Sequence, residues 1–404
     1  MNQRIVITGA GVVSAIGIGK EENLQSLRSM REGVAPVRYL QTDHKECMVG
    51  EVKMTNQEMM QRLGIEPETA MVRTSLLGML ALDEALLQAG LNEKALAQTA
   101  FINGTTVGGM DMSEQHYLEY LSMSVEEDSQ KPSVEYIRTH DCGSSTDLIA
   151  DHFGRFAMTT SISTACSSAA NSLILGVRMI ESGEYDRVVV GGAESLSKFH
   201  LNGFNTLMIL DREQCRPFDA SRAGLNLGEG AAFLILESEE SARRRGIEPI
   251  AVLSGYGNAC DAFHQTASSA DGEGAFLAMT KALRMGGIQP SEVGYINAHG
   301  TGTPNNDASE SAAMMRVFGD DVPPVSSTKS FTGHTTSASG SIESVICLLA
   351  MEYGFIPASL GWKEPSEGCI VPVSEVREGV SLNHVLCNSF GFGGNDSSLL
   401  FSKP

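Results

Sequence analysis

One cysteine stands where a nucleophile could be built. Around Ser163-Thr164-Ala165-Cys166-Ser167-Ser168 the pattern changes from a strand near Thr159–Ser163 to helical spacing over Cys166–Ser182. A cysteine on the first turn of a helix faces unpaired backbone N–H groups and the positive end of the dipole. Both lower a thiol's pKa and favour the nucleophilic thiolate. Small neighbours leave room for a substrate. A buried structural thiol is the competing reading, since free cysteine is among the most buried residue types.

Two histidine motifs downstream shift that balance. His299 lies in Asn297-Ala298-His299-Gly300-Thr301-Gly302-Thr303-Pro304 and His334 in Lys329-Ser330-Phe331-Thr332-Gly333-His334. Each follows a strand pattern and sits beside glycine, at the strand end where α/β proteins place their ligand sites. Asp307 and Glu310 resemble a helix-capping pair. Asn388-Ser389-Phe390-Gly391-Phe392-Gly393-Gly394-Asn395 is a glycine-laced loop that can bend sharply, present N–H groups and swing an aromatic ring. An ordinary turn that packs two phenylalanines into the core is its alternative reading.

Holding these groups together takes a large scaffold. The chain has 404 residues, too many for one ordinary core, so two domains or two fused halves are expected. Hydrophobic residues make up 42% and charged residues 19%, which supports extensive burial and argues against disorder. The net charge is −20, from 49 acidic and 29 basic residues, so nucleic acid and anionic membrane are not expected as partners. None of the eight cysteines forms a C-x-x-C pair, which leaves zinc and redox motifs without support. Reduced thiols of a cytoplasmic protein fit best. Gly9, Gly11, Gly17 and Gly19 interrupt the N-terminal apolar residues, and no stretch reaches membrane-spanning length.

Arg4–Thr8, followed by a glycine-rich turn, Phe101–Thr105, Val188–Val190, Val293–Ala298 and Val322–Ser326 read as strands. Arg73–Ala89, Asp307–Phe318 and Ala338–Tyr353 read as helices, the first stopped by Gly90. Arg243-Arg244-Arg245-Gly246 closes a helix, its cations favouring the C-terminal dipole, and marks a boundary between residues 1–245 and 246–404. The polar, aperiodic run Met112–Ser145 is expected to be an excursion at a subunit contact. Alternating strands and helices in both halves point to an α/β protein.

Taken together, these segments resemble the elongating β-ketoacyl-acyl-carrier-protein synthases of thiolase fold, above all the type II synthases. The resemblance runs from Ile5-Val6-Ile7-Thr8-Gly9 to the C-terminal loop and includes Arg216-Pro217-Phe218-Asp219 and Gly228-Glu229-Gly230-Ala231. It implies a thiolase-like five-layered α-β-α-β-α fold of two similar halves, the first carrying the nucleophile and the second both histidines. It implies Cys166 as the acyl-accepting nucleophile and His299 and His334 as the paired catalytic histidines. Lys329 would be a supporting lysine paired with Glu310. Thr301 and Thr303 would contact the phosphopantetheine arm, with Phe390 and Gly391 beside the substrate. Phe392 would be a gating aromatic whose N–H joins that of Cys166 in an oxyanion hole. Asn297, Glu343, Asn388 and Ser389 match a structural site for a monovalent or divalent cation. No other cofactor is implied, because the substrates ride on the phosphopantetheine of an acyl carrier protein. A homodimer is implied, with Met112–Ser145 near its interface; a heterodimer with a related ketosynthase is the alternative.

The implied reaction is a decarboxylative Claisen condensation of malonyl-acyl-carrier-protein with the Cys166-bound acyl chain, in fatty acid biosynthesis. Thiolases need a second cysteine in a C-terminal C-x-G motif, whereas here Cys387 is followed by Asn388 and Ser389. Synthases that start chains pair one histidine with asparagine, so elongation is favoured. Two segments depart from the family. Thr335-Thr336-Ser337-Ala338-Ser339-Gly340 replaces the usual Leu, Gly and Ala residues, and Arg222–Leu227 resembles synthases of aryl-polyene pathways. A specialised polyene or polyketide ketosynthase is therefore the alternative. A non-catalytic chain-length partner would lack the nucleophile, and a cysteine hydrolase would not need both histidines. Arg62 and Arg73 are the candidate basic residues for docking an acidic carrier protein.

Overall fold

The first strand, β1 (Ile5–Ser14), is buried along its whole length. In the computed structural model, which describes residues 4–67, 69, 71–122 and 134–404, it lies in the middle of an eleven-stranded sheet. Further along the N-terminal part come α1 (Arg73–Ala89), β2 (Ala100–Gly104), α2 (Met110–Ser122), β3 (Met158–Ile162) and α3 (Ser168–Glu181). They are followed by β4 (Arg187–Glu194), α4 (Lys198–Thr206), β5 (Gly230–Ser238) and α5 (Glu239–Arg245). The C-terminal part holds β6 (Ala251–Cys260), α6 (Glu273–Gly286), β7 (Tyr295–Asn297), α7 (Pro304–Phe318) and β8 (Val325–Ser326). It ends with α8 (Ser339–Tyr353), β9 (His384–Gly391) and β10 (Asn395–Ser402).

The order across the sheet is β8-β7-β9-β10-β6-β1-β5-β4-β2-β3, with Gly17–Ile18 hairpinned onto β1. Each arm repeats one pattern outward from the middle: two antiparallel pairings, then two parallel ones. One arm runs β1-β5-β4-β2-β3 and the other β6-β10-β9-β7-β8. Within the sheet the arms join where Val6 pairs with Val252 and Ile7 with Ala251.

Helices complete five layers. α1 covers β1 and β5 on one outer face, and α6, with α7 beside it, covers β6 and β10 on the other. α3 and α8 lie between the two arms and touch each other. That position accounts for α8 being buried from Ser339 through Met351: a helix surrounded by protein is mostly apolar or small around its circumference, and its one buried charge, Glu343, is paired. Among the described residues no helix is long and apolar enough to cross a membrane.

Three local expectations need correction. Gly9 and Gly11 belong to β1 rather than to a turn, because α1 lies against them; a Cβ on Gly11 would sit 2.1 Å from the Ala81 carbonyl oxygen. The Met112–Ser145 run is not uniformly irregular. It begins inside α2, contains a 3-10 turn at Val134–Thr139 and ends inside a helix at Cys142–Phe153, while residues 123–133 lie outside the described residues. α2 is held by its acids: Asp111 accepts from the Arg73 N–H (2.9 Å), and Glu114 accepts from the N–H groups of Lys198 (2.9 Å) and Phe199 (2.6 Å). Finally, α3 starts at Ser168 with Ser167 as its N-cap, so Cys166 lies just ahead of the helix rather than on its first turn.

Candidate active site

Cys166 is placed by a strained turn between β3 and α3. Ala165 has φ 52°, in the left-handed region that a side chain with a Cβ enters only when its surroundings hold it there. The Thr164 N–H donates to Ser168 Oγ (2.9 Å), and that hydroxyl donates to the Ala165 carbonyl (2.6 Å). Asn395 Oδ1 accepts from Ser167 Oγ (2.8 Å) and Asn171 Nδ2 (2.7 Å), which ties the end of the glycine-laced loop to the start of α3. Gly391 approaches the same turn so closely that a Cβ would lie 2.8 Å from the Thr164 carbonyl oxygen.

The two histidines arrive from the C-terminal arm. His299 follows β7, and Glu310 of α7 accepts from its N–H (2.9 Å) and from that of Gly300 (2.8 Å). The His334 N–H donates to the Asn226 carbonyl (2.7 Å), and the His334 carbonyl accepts from the Gly228 N–H (2.9 Å). Thus the backbone of Asn226, in the segment that departs from the family pattern, and that of Gly228, in the family signature that follows it, together fix the second histidine.

These supports bring the three groups together. His334 Nε2 lies 3.1 Å from Cys166 Sγ, and Ser339 Oγ lies 3.0 Å from His334 Nδ1. The His299 and His334 rings are 5.2 Å apart at 82°, and the Phe390 ring is 5.7 Å from His299. Cys166, His299 and His334 open into a cavity of about 260 Å³, whose walls include Thr301, Thr303, Phe390, Gly391 and Phe392. Thr301 and Thr303 hydroxyls are 2.8 Å apart. The Phe392 ring stacks on Phe204 at 5.8 Å.

Sequence reasoning missed Phe204, Ser268 and Asn305 on this wall. Asn305 accepts from the Ser268 N–H (2.8 Å) and donates back to its carbonyl (3.1 Å), a loop clasp with no recognisable sequence signal.

Burial dominates the electrostatics. It pushes the Cys166 thiol up to about 11, against the opposing pull of Lys329 and of the Phe392 and Cys166 N–H groups. The expectation of a depressed thiol pKa is therefore overturned, because loss of water outweighs the field at the head of α3. Burial also drives His299 and His334 well below the ordinary imidazole value, and the Lys329 charge drives them further. Both rings are neutral at physiological pH.

Lys329 does not pair with Glu310. Its Nζ donates to Glu343, with both side chains buried. Glu310 is taken up by the two loop N–H groups and by Asn388 Nδ2 (3.1 Å). Nor do Asp307 and Glu310 cap α7: Asp307 accepts from the N–H groups of Phe218 (2.8 Å) and Gly302 (3.2 Å) instead. Arg73 is also removed from the docking candidates, since it forms a buried pair with Glu229 at 2.6 Å. Arg62 remains exposed at the end of helix Asn56–Leu63.

Of the four residues matched to a cation site, Asn297 Oδ1, Glu343 Oε2 and Ser389 Oγ are buried without a hydrogen-bond partner. Asn388 is engaged, donating to Glu310 and accepting from Ser398 Oγ at 2.9 Å.

The chain matches the Beta-ketoacyl synthase N-terminal domain over residues 2–242 and the Beta-ketoacyl synthase C-terminal domain over residues 250–363. It is 32% identical to the 3-oxoacyl-[acyl-carrier-protein] synthase 2 of Vibrio harveyi, over 99% of each chain. Among solved structures, the ishigamide ketosynthase/chain length factor superimposes with a TM-score of 0.93 at 32% identity, over 100% of both chains. A type II PKS acyl-carrier protein in complex with its ketosynthase bound to the hexaketide gives a TM-score of 0.89 at 26% identity, again over 100% of both chains.

Proposed function

The chain belongs to the β-ketoacyl synthase family and has its thiolase-like fold, and from that premise we propose the reaction its side chains carry out. It condenses malonyl-acyl-carrier-protein with an acyl chain held on Cys166, losing CO₂ and giving β-ketoacyl-acyl-carrier-protein in fatty acid biosynthesis. The observation that carries this reading is the 3.1 Å contact between Cys166 Sγ and His334 Nε2, with His299 facing the same cavity.

In the first stage Cys166 Sγ attacks the carbonyl carbon of an acyl thioester. The N–H groups of Cys166 and Phe392 hold the oxyanion. The bond to the carrier sulfur then breaks, and the Cys166 proton leaves with the departing thiol. In the second stage the malonyl C–CO₂ bond breaks, and its electron pair forms an enolate. The enolate oxygen receives N–H donors from His299 and His334, each worth roughly 3 kcal/mol of barrier. The enolate carbon attacks the Cys166 thioester, expelling the sulfur as thiolate, which takes a proton from solvent. Neutral imidazoles suit this role because each must donate an N–H without transferring a proton.

Around the site, Thr301 and Thr303 would guide the phosphopantetheine arm, with Phe390 and Gly391 beside the bound acyl group. The unpartnered oxygens of Asn297, Glu343 and Ser389 fit a hard cation. Such an ion would stiffen the loops that carry the histidines; Asn388 contributes less, being already engaged. We assign residues 1–245 and 246–404 to two similar halves, acyl carrier protein as partner, a homodimer or a heterodimer with a related ketosynthase as the assembly, and the cytoplasm as its location.

Intact mass spectrometry tests the reading. Incubation with acyl-acyl-carrier-protein should add the acyl mass to the protein, and Cys166→Ala should abolish the addition. Malonyl-acyl-carrier-protein should then discharge it as β-ketoacyl product; free acid as the main product would instead indicate a hydrolase. A polyene or polyketide ketosynthase is the second reading, favoured by the polar Thr335–Ser337 run and by the ishigamide structure. Turnover restricted to polyunsaturated acyl chains would select it.

A further inference from the structure

Ser339 has no part in the reaction as described, yet it is the partner of a catalytic ring. Its side chain is buried at the start of α8, in the polar run that departs from the family pattern. Ser339 Oγ lies 3.0 Å from His334 Nδ1, whose ring presents Nε2 to Cys166 Sγ at 3.1 Å. Thr335 Oγ1 stands 3.2 Å from the same serine oxygen. Thr335, Ser339, His334 and Cys166 therefore form one connected line.

A neutral imidazole carries a single N–H, and the group facing one nitrogen decides whether the other holds it. The condensation needs that proton on Nε2, where it can meet the enolate oxygen. A proton on Nδ1 would turn a lone pair toward the oxyanion and repel it. A serine hydroxyl can donate or accept, so its second neighbour decides which it does. When the Thr335 hydroxyl donates to Ser339 Oγ, the serine proton is left to point at Nδ1.

We propose that Ser339 is a positioning residue that donates its hydroxyl hydrogen to His334 Nδ1, holding the ring in the tautomer whose Nε2–H faces the reacting atoms. Thr335 orients that hydroxyl. The inference rests on the two-stage condensation above, because only a donating Nε2 makes this tautomer the productive one.

The test combines a spectroscopic readout with a split of the two stages. In ¹⁵N-histidine-labelled protein, with the His334 signals identified by their loss in His334→Asn, Nδ1 should read as the unprotonated nitrogen and Nε2 as the protonated one. Ser339→Ala should populate the opposite tautomer and slow malonyl-acyl-carrier-protein decarboxylation by roughly 10- to 100-fold. Acylation of Cys166 should change far less, and Ser339→Thr should restore most of the loss. A proton found on Nδ1 in the unaltered protein would overturn the proposal. So would Ser339→Ala with unchanged tautomer and unchanged decarboxylation. If the unaltered enzyme neither accepts an acyl group nor decarboxylates malonyl-acyl-carrier-protein, the condensation reading itself fails, and the tautomer measurement still decides whether Ser339 donates.

Discussion

Lys329 and Glu343 form an ion pair in which neither side chain meets water, and His299 and His334 both lie within reach of the lysine's charge. A fixed cation beside two imidazoles disfavours their protonation, adding to what burial already does. The lysine thus bears on the charge state of the two rings.

Replacing Lys329 with methionine should therefore change the acid limb of the pH profile. With the cation gone the imidazole pKa values rise, so the rings protonate earlier as pH falls. The pH of half-maximal malonyl decarboxylation should move upward relative to the unaltered enzyme. The variant also strands a buried carboxyl, a cost of about 3–5 kcal/mol if it stays charged, so unfolding curves should accompany the kinetics. An unchanged acid limb in folded protein would show that the lysine charge is not felt at the rings.

The thiol gives a second prediction. With Cys166 pushed up to about 11, its carbamidomethylation should keep accelerating as pH rises to ~9.5, since the thiolate is the reactive form. Exposed Cys260 provides a comparison within the same chain. Peptide mapping separates the two sites. Levelling of the Cys166 rate near neutral pH would restore the reading in which the head of α3 ionises the sulfur.

Arg73 and Arg62 look alike in sequence, and the fold separates them. Arg73 donates to Glu229 from both Nε (2.9 Å) and an Nη (2.6 Å), and its other Nη bonds the Met54 carbonyl (3.0 Å). Arg73→Ala should cost about 3–5 kcal/mol by leaving a buried carboxylate unpaired, lowering Tm by roughly 4–6 °C in a chain of this length. Arg62→Ala should stay within about 0.5 kcal/mol of the unaltered protein. Thermal unfolding of the two variants side by side checks both; equal Tm values would refute the contrast.

What could be read in advance follows the range of the forces involved. Helix Arg73–Ala89 was legible to both ends because apolar spacing and the Gly90 stop are local signals, and Gly90 does adopt φ 61°. The two histidines could be grouped because each follows a strand pattern and sits beside glycine, but only His299 stands close to its strand end; the short helix Lys329–Thr332 separates β8 from His334. The lysine's partner could not be chosen, since Glu310 is occupied by the His299 and Gly300 N–H groups only once α7 has packed. The strain at Ala165 leaves no trace in an alanine's identity. Likewise Gly9 and Gly11 look like a turn until α1 is laid across them.

Asp396 supplies the last prediction. Burial first, then the negative charges of Asp261 and Glu310, push it up to about 8 from an ordinary 3.8. Asp261 accepts from Ser269 N–H (2.6 Å), Ser269 Oγ (2.6 Å) and the Gly274 N–H (3.2 Å), so its oxygens are committed. A carboxyl with a raised pKa in the folded state favours folding fully only below its unfolded value, and that contribution fades as pH climbs through the folded one. Compared with Asp396→Asn, the unaltered protein should lose stability between about pH 4 and 8, by at most ~1.4 kcal/mol per pH unit. Denaturant midpoints measured for both proteins across that range would show the gap widening; a constant gap would mean the carboxyl titrates normally. The effect should reach the active site, because Asp396 pairs in register with Phe390, whose ring lies 5.7 Å from His299. Alkaline loss of condensing activity should accordingly be milder in Asp396→Asn than in the unaltered enzyme.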